Sequence, residues 1–265
     1  MISFVEYRDI NLRFLDTGEG DAIVLLHGYL ESLEIWEGFM DDLAKEYRVI
    51  AVDLPGHGES GILCKVNTMT VIADAVKHVL DYLDIHRAVI VGHSMGGYAT
   101  LAFAEIYPEI TLGFVLFHSH GLPDTEEKKA NRNREIELVK AGKKDQIINT
   151  NIPRAFADDN LVKFAAGIEF ARGIASSTTN EGIICALEGM KNRPDRRRVL
   201  KESVVPVMIV AGRKDNYIPF EVAEAHFSLA PKTYVLILEK SGHMGFIEEK
   251  ENSLQGLLKF LKKIY

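Results

Sequence analysis

The sequence predicts an α/β fold: a mostly parallel sheet flanked by helices, with a helical cap inserted into it. Three observations carry this. Short continuous apolar runs alternate with amphipathic segments, as buried parallel strands alternate with the helices that cover them. A glycine-flanked turn, Gly92-His93-Ser94-Met95-Gly96-Gly97, joins the β-branched run 88–91 to an apolar helical stretch, 98–105, ending before Pro108. From Gly121 roughly eighty residues pass without a convincing strand before the sheet pattern resumes.

Taken in order, residues 4–15 alternate before the Gly18-Glu19-Gly20 break and read as an antiparallel hairpin. Residues 22–26 form a wholly apolar strand ending in His27-Gly28-Tyr29. Leu33, Trp36, Phe39, Met40 and Leu43 have helical spacing, which predicts one helix over 33–46. Residues 48–52 are the next strand, closed by Asp53-Leu54-Pro55-Gly56-His57-Gly58-Glu59-Ser60; a helix over 69–83 then precedes the glycine turn. A strand over 112–117 follows. Helices are expected near 125–142, 144–157, 158–175 and 179–193. The sheet resumes at 204–211, ending in Gly212-Arg213-Lys214-Asp215. A helix over 219–229, a strand over 233–238, Ser241-Gly242-His243-Met244-Gly245 and an amphipathic helix complete the chain. Core segments 1–118 and 201–265 therefore flank a cap, or lid, at 119–200, emerging on the side of the glycine turn.

Composition narrows the function classes. The chain has 265 residues, 47% of them hydrophobic, and a net charge of −7, which speaks against nucleic acid as a partner. The imbalance is uneven: residues 119–200 carry +3 and the remainder −10, so a substrate bearing a carboxylate is one possibility and a solvated cap surface the other. Two cysteines, Cys64 and Cys185, make no disulfide framework, and the first residues lack a signal-peptide pattern. With no run of membrane-spanning length, a cytoplasmic protein without membrane association is expected. Composition leaves the oligomeric state open.

The glycine turn carries the chemistry. G-x-S-x-G between a strand and a helix is a nucleophile elbow: the serine sits at strained backbone angles, and small neighbours let other backbone pass close by. Ser94 Oγ then projects from the strand end, with the N–H of Met95 facing an oxyanion at the helix start. A serine hydroxyl needs an adjacent base. His243, in a glycine-flanked loop after a strand, fits best. His27, His57 and His93 are rivals better suited to holding their own loops, and His93 is too close along a tight turn to reach Oγ.

His27-Gly28, the 53–60 loop, the GHSMGG elbow, GRKDNYIP and SGHMGFIEE occur in the order of the α/β-hydrolase superfamily. The chain resembles its small capped serine hydrolases, the carboxylesterase-like members, over nearly all its length except the cap. The resemblance implies the order Ser94…Asp215…His243, with Asp215 fixing the imidazole. Asp215 also suits an Asx turn. Asp124 stays open as an alternative acid, because some family members place theirs after the sixth strand; a helix N-cap is its plainer role. The family also implies Tyr29 N–H as the second oxyanion donor.

Other chemistries fit less well. His118-Ser119-His120 offers two histidines, but Leu122 and Pro123 stand where an H-x-H-x-D-H metal pattern needs Asp and His, so no metal is expected. His118, Ser119 and His120, with His27 and Gly28, are instead expected to contact substrate at the pocket mouth. Neither glycine-rich loop matches a phosphate-binding pattern, and no cofactor is expected. Arg196-Arg197-Arg198 reads as a solvated hinge. The expected function is hydrolysis of a small carboxylic ester through an acyl-enzyme intermediate. Thioesterase, C–C hydrolase and perhydrolase activity are alternatives on the same residues, and a small-molecule receptor using the hydrolase pocket is the alternative of another class.

Overall fold

The computed structural model describes residues 1–265. Eight strands form one sheet: β1 (Ile2–Tyr7), β2 (Ile10–Thr17), β3 (Ala22–Leu26), β4 (Arg48–Val52), β5 (Ala88–His93), β6 (Thr111–Phe117), β7 (Val207–Gly212) and β8 (Thr233–Leu238). Their order is β1-β2-β4-β3-β5-β6-β7-β8. Pairings among β3 to β8 are parallel; β1 and β2 add an antiparallel edge. Every residue of β3, β5 and β7 is buried, which is why these strands read as unbroken apolar runs.

The helices of the core are α1 (Phe39–Leu43), α2 (Met69–Tyr82) and α3 (Met95–Ile106). Those between β6 and β7 are α4 (Glu126–Lys140), α5 (Lys144–Arg154), α6 (Ala165–Ser177), α7 (Asn180–Lys191) and α8 (Arg197–Lys201). After β7 come α9 (Phe220–Glu224), α10 (Gly245–Glu248) and α11 (Lys250–Leu261). Threonines start three of them: Thr68, Thr125 and Thr179 accept from Val71, Lys128 and Gly182 N–H, satisfying donors a helix start leaves unpaired.

Five expected elements differ; the helix near 158–175 begins as a 3-10 turn, Asp158–Asn160, before α6, and the helix over 219–229 shrinks to α9. The helix over 33–46 is a 3-10 turn, Leu33–Trp36, followed by α1; Gly38 between them has φ +71°, a left-handed break. The turn is fixed from outside by Asp53 Oδ1, which accepts Leu33 N–H at 2.7 Å. The strand expected from 204 starts at Val207, since Pro206 has no N–H for a ladder. The closing helix is split into α10 and α11 at Glu249.

The helices between β6 and β7 rest on the core through α7. A Cβ on Gly182 would lie 2.0 Å from Gly56 O, and one on Gly189 would lie 1.8 Å from Asn67 O. Seven residues are two helical turns, so both glycines present the same face. The helix axis thereby lies close against the 56–67 loop.

Candidate active site

The site is built at the carboxyl ends of the central strands. β5 ends in His93, and Ser94 follows with φ +50° and ψ −112°, a conformation rare for a side-chain-bearing residue. Space for the turn comes from glycine. A Cβ on Gly96 would lie 2.2 Å from Leu26 O, so α3 starts directly against the end of β3. Leu30 at φ +62° and His118 at φ +48° are strained in the same way, at the ends of β3 and β6. Three neighbouring strand ends thus carry positive φ on non-glycine residues.

Ser94 and His243 both line a cavity of about 540 Å³. His243 Nδ1–H donates to Asp215 Oδ2 at 2.8 Å. Asp215 Oδ1 accepts the N–H groups of Tyr217 and Ile218, at 2.8 and 2.9 Å, so the expected Asx turn and the expected pairing with His243 occur together. Burial alone would raise the pKa of this carboxyl. The imidazoles of His243 and His118 reverse that and hold it well below the usual range, so Asp215 is an anion. The N–H groups of Met95 and Tyr29 make no hydrogen bond within the chain, and Met95, as the first residue of α3, has no helical acceptor. Asp124 lies elsewhere, between Arg132 and Arg193, and the cap of α4 is Thr125, not Asp124.

The histidines separate cleanly. His27 Nδ1–H donates to Gly28 O and its Nε2 accepts Leu54 N–H, so it ties the β3 loop to the β4 loop. His57 is buried beside it, and burial takes its pKa down to about 3. His93 Nδ1 donates to Glu31 Oε2 at 2.9 Å, and its Nε2 donates to His243 O at 2.9 Å. Both ring nitrogens donate, so His93 is an imidazolium. Burial opposes that charge, but Glu31 overcomes it and raises the pKa.

Four expected substrate contacts are corrected. His27, Gly28, His118 and Ser119 are buried and do not line the cavity; His120 does. The positive φ of His118 turns its ring inward. Its Nε2 accepts Gly245 N–H at 3.2 Å and its Nδ1 lies 3.3 Å from Asp215 Oδ2. Gly212 and Gly245 leave the room: a Cβ on either would meet the His118 ring at 2.9 or 2.5 Å. Burial lowers the His118 pKa to about 4, so the ring is neutral. Ligand atoms of His118, Asp215 and His243 lie within 4.8 Å of one another. Both Nδ1 atoms face the same carboxylate oxygen, which is the pattern of two N–H donors around one acceptor. Ser119 Oγ–H donates to Ser94 O at 2.8 Å and so braces the elbow from below.

Several residues here were not singled out from the sequence. Glu31 Oε2 also accepts Gly28 N–H at 2.5 Å, so one carboxylate joins the β3 loop to His93. Glu248 Oε1 accepts from Ala157 N–H and Asn160 Nδ2. Its Oε2 accepts from Gly242 and Met244 N–H, clamping the His243 loop to residues 157–160. Across the cavity, Glu135 accepts from Tyr29 Oη–H and Asn151 Nδ2. Only an acid in the SGHMGFIEE segment offered any sequence signal, and it was indistinguishable from an ordinary helix N-terminal acid.

The family model described as alpha/beta hydrolase fold matches residues 21–136. The chain is 32% identical over 259 residues to a dihydrolipoyllysine-residue acetyltransferase component of the acetoin cleaving system from Pseudomonas putida, covering 95% of this chain and 67% of the relative. It is 29% identical over 279 residues to a 2-hydroxy-6-oxononadienedioate/2-hydroxy-6-oxononatrienedioate hydrolase from Burkholderia vietnamiensis, covering 96% and 92%. Among solved structures it resembles a thermophilic esterase from Thermogutta terrifontis (malate bound), with TM-score 0.94, 30% identity and coverage of 100% and 99%. An enol-lactonase from Burkholderia xenovorans shares the fold at TM-score 0.91 and 21% identity, with coverage of 98% and 100%. No helix is long and apolar enough to cross a membrane.

Proposed function

Because the chain belongs to the α/β-hydrolase family, its site is read as that of a hydrolase, and we propose that it cleaves small carboxylic esters through an acyl-enzyme intermediate. The supporting observation is the strained Ser94 turn opening into the same cavity as His243, whose imidazole is held by the Asp215 carboxylate. Asp215 fixes the proton on Nδ1, which leaves Nε2 free to act as base.

In this reading Ser94 Oγ attacks the ester carbonyl carbon as Nε2 takes its proton. The N–H groups of Tyr29 and Met95 receive the oxyanion. His243 passes the proton to the departing alcohol, then deprotonates a water that hydrolyses the acyl-serine. The Ser94 hydroxyl and the imidazole come into line when substrate fills the cavity, as such contacts commonly tighten in the bound state. Residues 119–200 serve as the cap: Leu122, Arg132, Glu135, Ile152 and Phe156 wall the cavity opposite the strand ends.

The similar Burkholderia hydrolase supports C–C cleavage as a second reading, since the same nucleophile, base and oxyanion donors serve both. A fluorophosphonate probe that labels Ser94 in wild type and not in Ser94→Ala, with turnover of a nitrophenyl ester panel, is the expected result. A folded protein that neither reacts with the probe nor turns over any ester would reject the ester reading and leave the C–C substrate to test.

A further inference from the structure

One end of the cavity presents hydrogen-bond donors without acceptors, and we infer that it is a carboxylate subsite, so that the preferred substrate carries an acidic group near the bond it loses. This rests on the hydrolase reading above.

His120 is 2% exposed and lines the cavity. Its Nδ1 accepts Leu122 N–H at 3.1 Å. Burial, with the cations Arg193, Lys128 and Arg132 nearby, drives its pKa well below the ordinary value, so the ring is neutral. A neutral ring accepting at Nδ1 carries its proton on Nε2. That Nε2–H has no partner.

Two guanidinium groups stand beside it. Arg132, also in the cavity wall, gives Nε–H to Asp124 Oδ2 and Nη2–H to Oδ1, leaving Nη1 unused. Arg193 gives Nη1–H to Asp124 Oδ1 and to Met190 O, and Nε–H to Leu122 O, while its buried Nη2 has no partner. Its guanidinium stacks 3.9 Å from the ring centre of Tyr98, itself in the cavity wall. Two cations thus share Asp124, leaving His120 Nε2, Arg132 Nη1 and, behind Tyr98, Arg193 Nη2 without acceptors, while Glu135 also acts on Arg132 through its charge.

The neighbouring acids do not supply the missing acceptor. Glu135 accepts from Tyr29 and Asn151 and Glu31 from His93 and Gly28, and neither accepts from His120 Nε2 or Arg193 Nη2. A planar carboxylate suits donors of this type, because a guanidinium presents its N–H groups as a fork. Tyr98 lies one helical turn beyond Ser94, about 5 Å along the axis. Ser119, bonded to Ser94 O, holds the His120 strand end beside the elbow. A short dicarboxylic half-ester places its free carboxylate at such a remove from the scissile carbonyl.

The test compares monomethyl succinate with methyl 4-methylpentanoate, in which an isopropyl group replaces the carboxylate, by proton release in a pH-stat. The wild type is expected to favour the half-ester in kcat/KM by on the order of tenfold or more, as charge-assisted hydrogen bonds do. In Arg132→Gln and His120→Phe the ratio should fall toward unity. A ratio is insensitive to loss of folded protein. No preference in wild type, or an unchanged ratio in both variants, overturns the subsite while leaving the hydrolase reading intact. If neither ester turns over, the ester reading fails and calorimetry with succinate alone still decides the subsite. Binding that both variants lose supports it, and no binding overturns it.

Discussion

Replacing Asp215 by asparagine isolates the acid proposed for the site. The Asp215 carboxylate receives four contacts from donors: His243 and His118 Nδ1 on Oδ2, and the Tyr217 and Ile218 N–H groups on Oδ1. An amide can answer only half of them. With its oxygen toward the imidazoles, its NH₂ meets two backbone N–H groups, donor against donor. With its NH₂ toward the imidazoles, His243 must turn Nδ1 into an acceptor and carry its proton on Nε2, where the base is needed. Either orientation leaves buried donors unmatched, at about 1–3 kcal/mol each. The second also removes the base, and in the well-studied serine triad the same substitution lowers kcat by about 10⁴. The expected result for Asp215→Asn is therefore a kcat on a small ester about four orders of magnitude below wild type, or about 5.4 kcal/mol of barrier, with KM little altered. Stopped assays at high enzyme concentration reach that range. A loss under tenfold for Asp215→Asn, with a loss of thousands for Asp124→Asn, would refute the assignment and move the acid to Asp124.

Ser94→Ala should stay folded and lose kcat by on the order of a million-fold; turnover above about a hundredth of wild type would reject Ser94 as nucleophile. Asp124→Asn should leave hydrolysis of a neutral ester within about tenfold, yet destabilise the fold by about 3–5 kcal/mol in urea titration, because it strips a buried charge from two arginines. An unmoved midpoint would show that the arginines do not depend on Asp124. Thermal stability should fall between pH 7 and pH 5. Buried His57 and His118 titrate near 3 and 4, and His27 and His120 are also lowered, whereas unfolded histidine takes a proton near 6.5. Each lowered histidine therefore contributes stability that is complete above 6.5 and falls by about 1.4 kcal/mol per pH unit as acid is added, until its folded value is reached. His93, raised by Glu31, runs the other way: its contribution is present below 6.5 and lost as pH rises through its folded value. A melting temperature flat over this interval would show that the lowered histidines are not held neutral.

The sheet was legible because strands buried on both faces must be apolar along their whole length, and β3, β5 and β7 are. The elbow was legible because backbone crowding admits only small residues at Gly96, leaving a trace in composition. Side-chain direction at the strand ends left no such trace. His118 and His120 read alike, two histidines at the end of one strand; a positive φ sends the first onto Asp215 while the second faces the cavity. The cap was harder still. α4 buries only Ile136 and Val139, so its spacing gives little sign of which face turns inward. Its net positive charge is likewise a poor guide. Lys129 and Lys140 pair with acids one turn away on exposed surface, while the arginines that bear on the cavity, Arg132 and Arg193, are partly or fully buried around Asp124.

The positive φ angles at Leu30, Ser94 and His118 bear on how this protein could be engineered. A left-handed conformation penalises a residue with a Cβ by about 1–3 kcal/mol, and glycine escapes that penalty. Leu30→Gly, Ser94→Gly and His118→Gly are thus the substitutions that backbone energetics alone would reward. A library selected only for surviving heat would gather glycine at these positions and discard the proposed nucleophile and a neighbour of Asp215 with it. Stabilising the protein without disarming it means leaving those three positions alone and working at Arg8, in the β1–β2 turn, and at Asp84, between α2 and β5, where the same relief is open and no cavity-lining residue is touched.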